Sequence, residues 1–184
     1  MKQQNDSLQK RKSPRVKWSE YAGGLYFITL VTKDRCHYFG KICDGNILYY
    51  PSGKVAKSTI NQIETIFPYC KLINSVVMPN HIHMVLYIDE NKLPYSKRKL
   101  NIVNDETIII NKATLCISWL SHIIGHFKSY ITRCLHEQGK EFYWQQRYHD
   151  HIIRNTEELE MINNYINNNI TNWITDCFYN QGNT

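Results

Sequence analysis

The sequence contains no apolar run approaching the ~20 residues that a membrane-spanning helix requires, and its first residues are polar where a secretory signal would be apolar. We therefore expect a cytoplasmic protein. Its six cysteines (36, 43, 70, 116, 134 and 177) never form a C-x-x-C pair, which argues against a zinc cage. In a cytoplasmic chain of this size they read as free thiols rather than a disulfide framework. There is no internal repeat and no break in composition that would mark a second domain. With 184 residues, 42% hydrophobic and 21% charged, the chain is long enough to bury a core without staples.

The charge is unevenly placed. Lys2, Lys10, Arg11, Lys12, Arg15 and Lys17 stand against Asp6 alone, so residues 1–17 carry six minus one, or +5, of the formal +6. A basic arm on a near-neutral body suits a polyanionic partner, and nucleic acid is the usual one. The arm contains Pro14 and has no periodicity, so residues 1–17 are expected to be flexible.

Gly23-Gly24 open Leu25 to Thr32, rich in aromatic and β-branched residues and apolar on both faces, which predicts a central strand. Tyr38 to Ile42 and Asn46 to Tyr50 flank Asp44-Gly45, a short-loop hairpin signal that Pro51-Ser52-Gly53 ends. From Lys54 to Phe67 the spacing of Val55, Ile60, Ile63 and Ile66 predicts a helix stopped by Pro68. Cys70 to Val77 and His81 to Ile88 read as two strands joined by the turn formers Pro79 and Asn80. Residues 89–111 are polar, with Lys97-Arg98-Lys99, and are expected to be a surface loop with a short strand at 107–110. Ala113 to Leu135 carries Leu115, Trp119, Ile123, Phe127 and Ile131 on one helical stripe. A polar-aromatic segment, Trp144 to Arg154, leads to a last helix from about Glu157 to Asn169, capped by Asn155 or Thr156, with Glu157 and Glu158 in its first turn.

Two stretches carry chemistry. In the strand from His81, alternation puts His81, His83, Val85 and Tyr87 on one face. Imidazoles two residues apart sit roughly 7 Å from each other along a strand, so both reach one metal ion at about 2.1 Å. A half-buried strand with incidental histidines has the same pattern. On the last helix, Tyr165 and Asn169 lie one turn apart on one face. Tyrosine is the nucleophile of enzymes that cut DNA through a phosphotyrosine, and an amide oxygen is an acceptable ligand for a hard cation. In a chain of thirteen tyrosines, that pairing is also compatible with simple packing.

Taken together, these residues resemble a known family. Val76-Val77-Met78-Pro79-Asn80-His81-Ile82-His83 is similar to the HUH motif (His, hydrophobic, His) of single-tyrosine transposases, and most similar to the REP-associated tyrosine transposases. The resemblance extends over about 150 residues: Tyr26 to Arg35, Phe127-Lys128-Ser129, Trp144-Gln145, Tyr148 to His151, Ile153-Arg154-Asn155, and Tyr165 to Asn169 followed by Trp173. Where family members often have proline after the asparagine, this chain has Ile170. Residues 89–111 match no family motif.

The resemblance implies Tyr165 as nucleophile and His81, His83 and Asn169 as metal contacts, with Mg²⁺ or Mn²⁺ as the cation. It implies a single-stranded DNA endonuclease and strand transferase that cleaves and rejoins hairpin or palindromic repeats through a 5′-phosphotyrosine. Arg15, Lys17, Lys128, Arg147 and Arg154 are candidate phosphate contacts, and Trp144 and Tyr148 are candidate stacking platforms. The expected fold is α+β: a ferredoxin-like or RRM-like antiparallel sheet with helices packed on one face and the HUH motif on a central strand. One domain over 18–178 follows the arm, and 179–184 form a tail. The protein is expected on the nucleoid as a monomer or homodimer. Two rivals remain: a catalytically silent regulator that binds DNA hairpins, and a zinc hydrolase whose further ligand comes from His149, Asp150 or His151.

Overall fold

A computed structural model describes residues 24–94 and 112–179. The basic arm with Arg15 and Lys17, the strand expected at 107–110, most of the 89–111 loop, and the tail beyond Tyr179 lie outside the described residues.

The centre is a four-stranded antiparallel sheet in the order β4-β5-β1-β6, from β1 (Gly24–Val31), β4 (Cys70–Val77), β5 (His81–Ile88) and β6 (His149–Ile153). β1 is central, as its apolar faces require, and so is β5 with the two histidines. The register pairs Val31 with His81 and Thr29 with His83. A separate ribbon joins β2 (Gly40–Cys43) to β3 (Asn46–Tyr49). Its turn places Asp44 at φ 52° and Gly45 at φ 71°, the left-handed pair that a two-residue hairpin demands.

With that ribbon set aside, the chain runs β1, α1 (Pro51–Asn61), β4, β5, α3 (Lys112–Glu137), β6. This is the ferredoxin-like βαββαβ order. The first helix starts three residues earlier than its apolar spacing suggests, because Pro51, read as a stop for the hairpin, stands in the helix's first turn where a missing N–H costs nothing. At Gly53 the helix passes so close to the Phe39 carbonyl that no Cβ fits. The helix then breaks at Gln62, and α2 (Ile63–Ile66) completes the segment.

Alternation sorts the sheet into two faces. Tyr26, Ile28, Leu30, Ile82, Met84 and Leu86 point to the face covered by α1 and α3, where Ile60, Ile123, Phe127, Ile131 and Leu135 close an apolar core. Burying each large side chain there contributes about 1.5–3 kcal/mol. α4 (Thr156–Asn168) takes the other face, with Leu159, Ile162 and Ile166 against Val76, Met78 and Val85. The expected helical layer is thus α1 with α3, and the tyrosine-bearing helix is an addition on the histidine side. Asn155 caps α4, its Oδ1 accepting from the Glu158 N–H at 2.8 Å. The strand β6 was not expected: with exposed His149 and His151 it is a polar edge, apolar only toward its end.

Candidate active site

His81 and His83 are almost wholly buried, at 0% and 1% exposure, with ring centroids 4.5 Å apart. Each Nδ1 is engaged by a neighbour. His81 Nδ1 lies 2.8 Å from Asn80 Oδ1, and His83 Nδ1 lies 2.9 Å from the hydroxyl of Thr29, its register partner on β1. The Asn80 carboxamide has one sensible orientation, because its Nδ2 donates to two carbonyls, those of Arg35 (3.2 Å) and Phe178 (2.9 Å). Its Oδ1 can only accept, so His81 carries its proton on Nδ1 and presents a lone pair at Nε2. Burial pushes the His81 imidazole down to about 3 and holds His83 well below the ordinary range, an effect reinforced in His83 by the neighbouring His81. Both rings are therefore neutral at neutral pH, the state that binds metal.

Tyr165 and Asn169 come onto the same face from α4. The Tyr165 hydroxyl lies 3.2 Å from His83 Nε2 and donates to Asp176 Oδ2 at 3.0 Å, while the residue as a whole remains 41% exposed. Asn169 Nδ2 donates to the same carboxylate oxygen at 3.1 Å. Burial, and then the Asp176 charge, raise the Tyr165 phenol above its ordinary value, so it stands protonated. Tyrosine and histidines meet within one chain.

Among the described residues, two buried side-chain atoms here have no hydrogen-bond partner: His81 Nε2 and Asn169 Oδ1. Both are lone-pair donors, and leaving such atoms unpaired in a protein interior costs about 1–3 kcal/mol each. A cation removes that cost, so the residues present fit one.

Asp176 escaped the sequence reading. It follows a 3-10 turn at Trp173–Thr175, seven residues beyond Asn169, with no periodic signal to attach it to the site. Among the described residues, His81, His83 and Asp176 form the cluster whose ligating atoms all lie within 4.8 Å of one another. The segment after it lies over the histidines: the Phe178 ring centroid is 4.7 Å from that of His81, and Arg35 Nη1 donates to the Cys177 carbonyl. His149, Asp150 and His151, expected as alternative ligand suppliers, lie on β6 outside this cluster, and His151 pairs with Glu158 at 2.6 Å.

The candidate DNA contacts divide. Lys128 Nζ donates to the Gln145 carbonyl at 2.8 Å, and burial lowers its pKa. Trp144 donates its indole N–H to the Lys128 carbonyl and packs at the core edge against Phe39 and Phe142. The Tyr148 hydroxyl meets that of Ser121. Arg147 and Arg154 are exposed.

No protein-family profile matches the chain. An uncharacterised protein of Haemophilus influenzae is 30% identical over 177 residues, covering 95% of this chain and 96% of that one. The solved structure of a REP-associated tyrosine transposase bound to a REP hairpin superimposes with TM-score 0.57 at 20% identity, over 88% of this chain and 74% of that one. A proposed transposase from Deinococcus radiodurans gives TM-score 0.44 at 15% identity, over 86% of this chain and 96% of that one. Among the described residues no helix is long and apolar enough to cross a membrane.

Proposed function

We propose, for a chain that belongs to one family with the Haemophilus influenzae protein and has the fold of the REP-associated tyrosine transposase, that it is a metal-dependent single-stranded DNA endonuclease and strand transferase. It cuts and rejoins DNA at hairpin or palindromic repeats through a 5′-phosphotyrosine on Tyr165. The observation that carries this reading is the Tyr165 hydroxyl, which lies 3.2 Å from Nε2 of a buried, neutral histidine of the HUH pair, on a residue open enough for a strand to approach.

His83 and Asp176 hold the phenol oxygen in one place, so that attack on phosphorus loses little further orientational freedom. The Tyr165 oxygen bonds to the 5′-phosphate as the bond to the 3′-oxygen breaks, and the phenol proton ends, in net balance, on the released 3′-hydroxyl. The phosphotyrosine keeps the energy of the broken bond, so a second 3′-hydroxyl reverses the step without ATP. His81, His83 and Asn169 would hold Mg²⁺ or Mn²⁺, which would supply positive charge beside the anionic phosphodiester. Lys128, Arg147 and Arg154 are the described candidates for phosphate contacts, and Trp144 and Tyr148 those for base stacking. The protein works in the cytoplasm, on the nucleoid.

The zinc-hydrolase rival gains one observation, since Asp176 can complete a His₂Asp set. One experiment separates them: incubation of labelled, hairpin-bearing single strands from the gene's own flanks with Mn²⁺ or Mg²⁺, comparing wild type with Tyr165→Phe. A protein–DNA adduct in the wild type alone supports the phosphotyrosine. Cleavage that survives Tyr165→Phe without an adduct promotes metal-activated water. Binding without cleavage favours the hairpin-binding regulator.

A further inference from the structure

We propose that Asp176 is the anionic ligand of the cation site, completing the set of His81, His83 and Asn169; this rests on the metal-dependent reading above. Three observations converge. The ligating atoms of His81, His83 and Asp176 lie within 4.8 Å of one another. Donors at about 2.1 Å from one ion stand about 3 Å apart at adjacent positions and about 4.2 Å apart at opposite ones, so the cluster closes on a cation with side-chain shifts of about 1–2 Å. The lone pair of His81 Nε2 and one further donor, Asn169 Oδ1, are buried and without a partner among the described residues, and the Asn169 amide is held by Asp176 itself.

Charge balance points the same way. Two neutral imidazoles and a neutral amide leave a buried dication uncompensated, and an unpaired charge in the interior is costly. Within this cluster Asp176 is the one group able to contribute a negative charge. Its carboxylate and the Asn169 oxygen also shift the donor set from all-nitrogen toward mixed nitrogen and oxygen, which suits Mn²⁺ or Mg²⁺ better than a purely imidazole site. The carboxylate thereby ties the segment 176–179 to the loaded site, since Asp176 Oδ1 accepts from the Phe178 N–H at 2.7 Å.

The test is direct Mn²⁺ binding to the purified full chain without DNA, read by the loss of the free-ion signal in electron paramagnetic resonance. Wild type is compared with His81→Ala, Asp176→Asn and Asp176→Glu. The expected result is one Mn²⁺ bound by wild type and at least a tenfold loss in Asp176→Asn. If Asp176→Asn misfolds, Asp176→Glu decides: its displaced carboxylate is expected to change the affinity by threefold or more. Affinity unchanged in the Asp176 variants but lost in His81→Ala overturns the assignment, leaving Asp176 as a holder of the phenol, and spares the proposed function. A wild type that binds no Mn²⁺ overturns both.

Discussion

On one face of the sheet Ile82, Met84 and Leu86 enter a closed apolar core, while on the other, one residue along at each step, His81 and His83 meet Tyr165, Asn169 and Asp176. The same strand thus serves two purposes through its period of two. The first face is complete: its side chains need only bulk, and α1 and α3 supply it. The second is unfinished, with two buried lone pairs facing no donor and a smaller apolar cluster under α4. Stability is concentrated where nothing happens, and the strain of burying unsatisfied polar groups is concentrated where chemistry is proposed.

The comparison is broken most severely from the apolar side. Phe127→Ala, at a ring only 1% exposed in the α3 contact, is expected to destabilise the fold by about 3–5 kcal/mol in denaturant unfolding. Next comes acid. The folded pKa of His81 lies below its unfolded value, so the unfolded state takes up more protons between about pH 6.5 and about pH 3. The stability of the neutral ring is present above pH 6.5 and is lost as pH falls through that window. From pH 7 to 5 the loss is expected to be on the order of 2 kcal/mol, or roughly 6 °C in Tm, and smaller in His81→Leu. Asn80→Ala frees the His81 tautomer and is expected to weaken Mn²⁺ binding by about 10- to 100-fold, measured by titration calorimetry. The smallest effect belongs to neither face: Asn155→Ala removes the α4 cap and is expected to cost about 1 kcal/mol.

Much of this architecture is legible in the chain. The β-branched, doubly apolar run of β1, the turn at Pro79-Asn80, the stripe through Phe127 and the Asn155 cap are local signals, and local signals survive folding. The His pair is legible because alternation is a property of a strand by itself, and the pairing of Tyr165 with Asn169 because a helix turn is likewise local. The edge strand β6 is not, since His149-Asp150-His151 carries few apolar residues and becomes a strand only by completing the hydrogen bonds of β1. Asp176 is not legible either. Its place depends on the 3-10 turn around Trp173 and on the seating of Phe178 against Asn80, contacts between residues about 98 apart that leave no periodic trace. The placement of α4 on the histidine side is a third case, because its stripe of Leu159, Ile162 and Ile166 says that it packs but not on which face.

The pairing of Val31 with His81 and Thr29 with His83 has a bearing on how the chain tolerates insertions and deletions. Met78 and Asn80, in the turn before β5, are both fully buried, so a residue added there has no bulge to occupy and would have to push the strand along by one. Such a slip sends both imidazoles into the α1–α3 core and brings Ile82 and Met84 out to Tyr165. Point changes in β5 degrade the protein by degrees, whereas a single-codon length change in that turn removes core and site in one event.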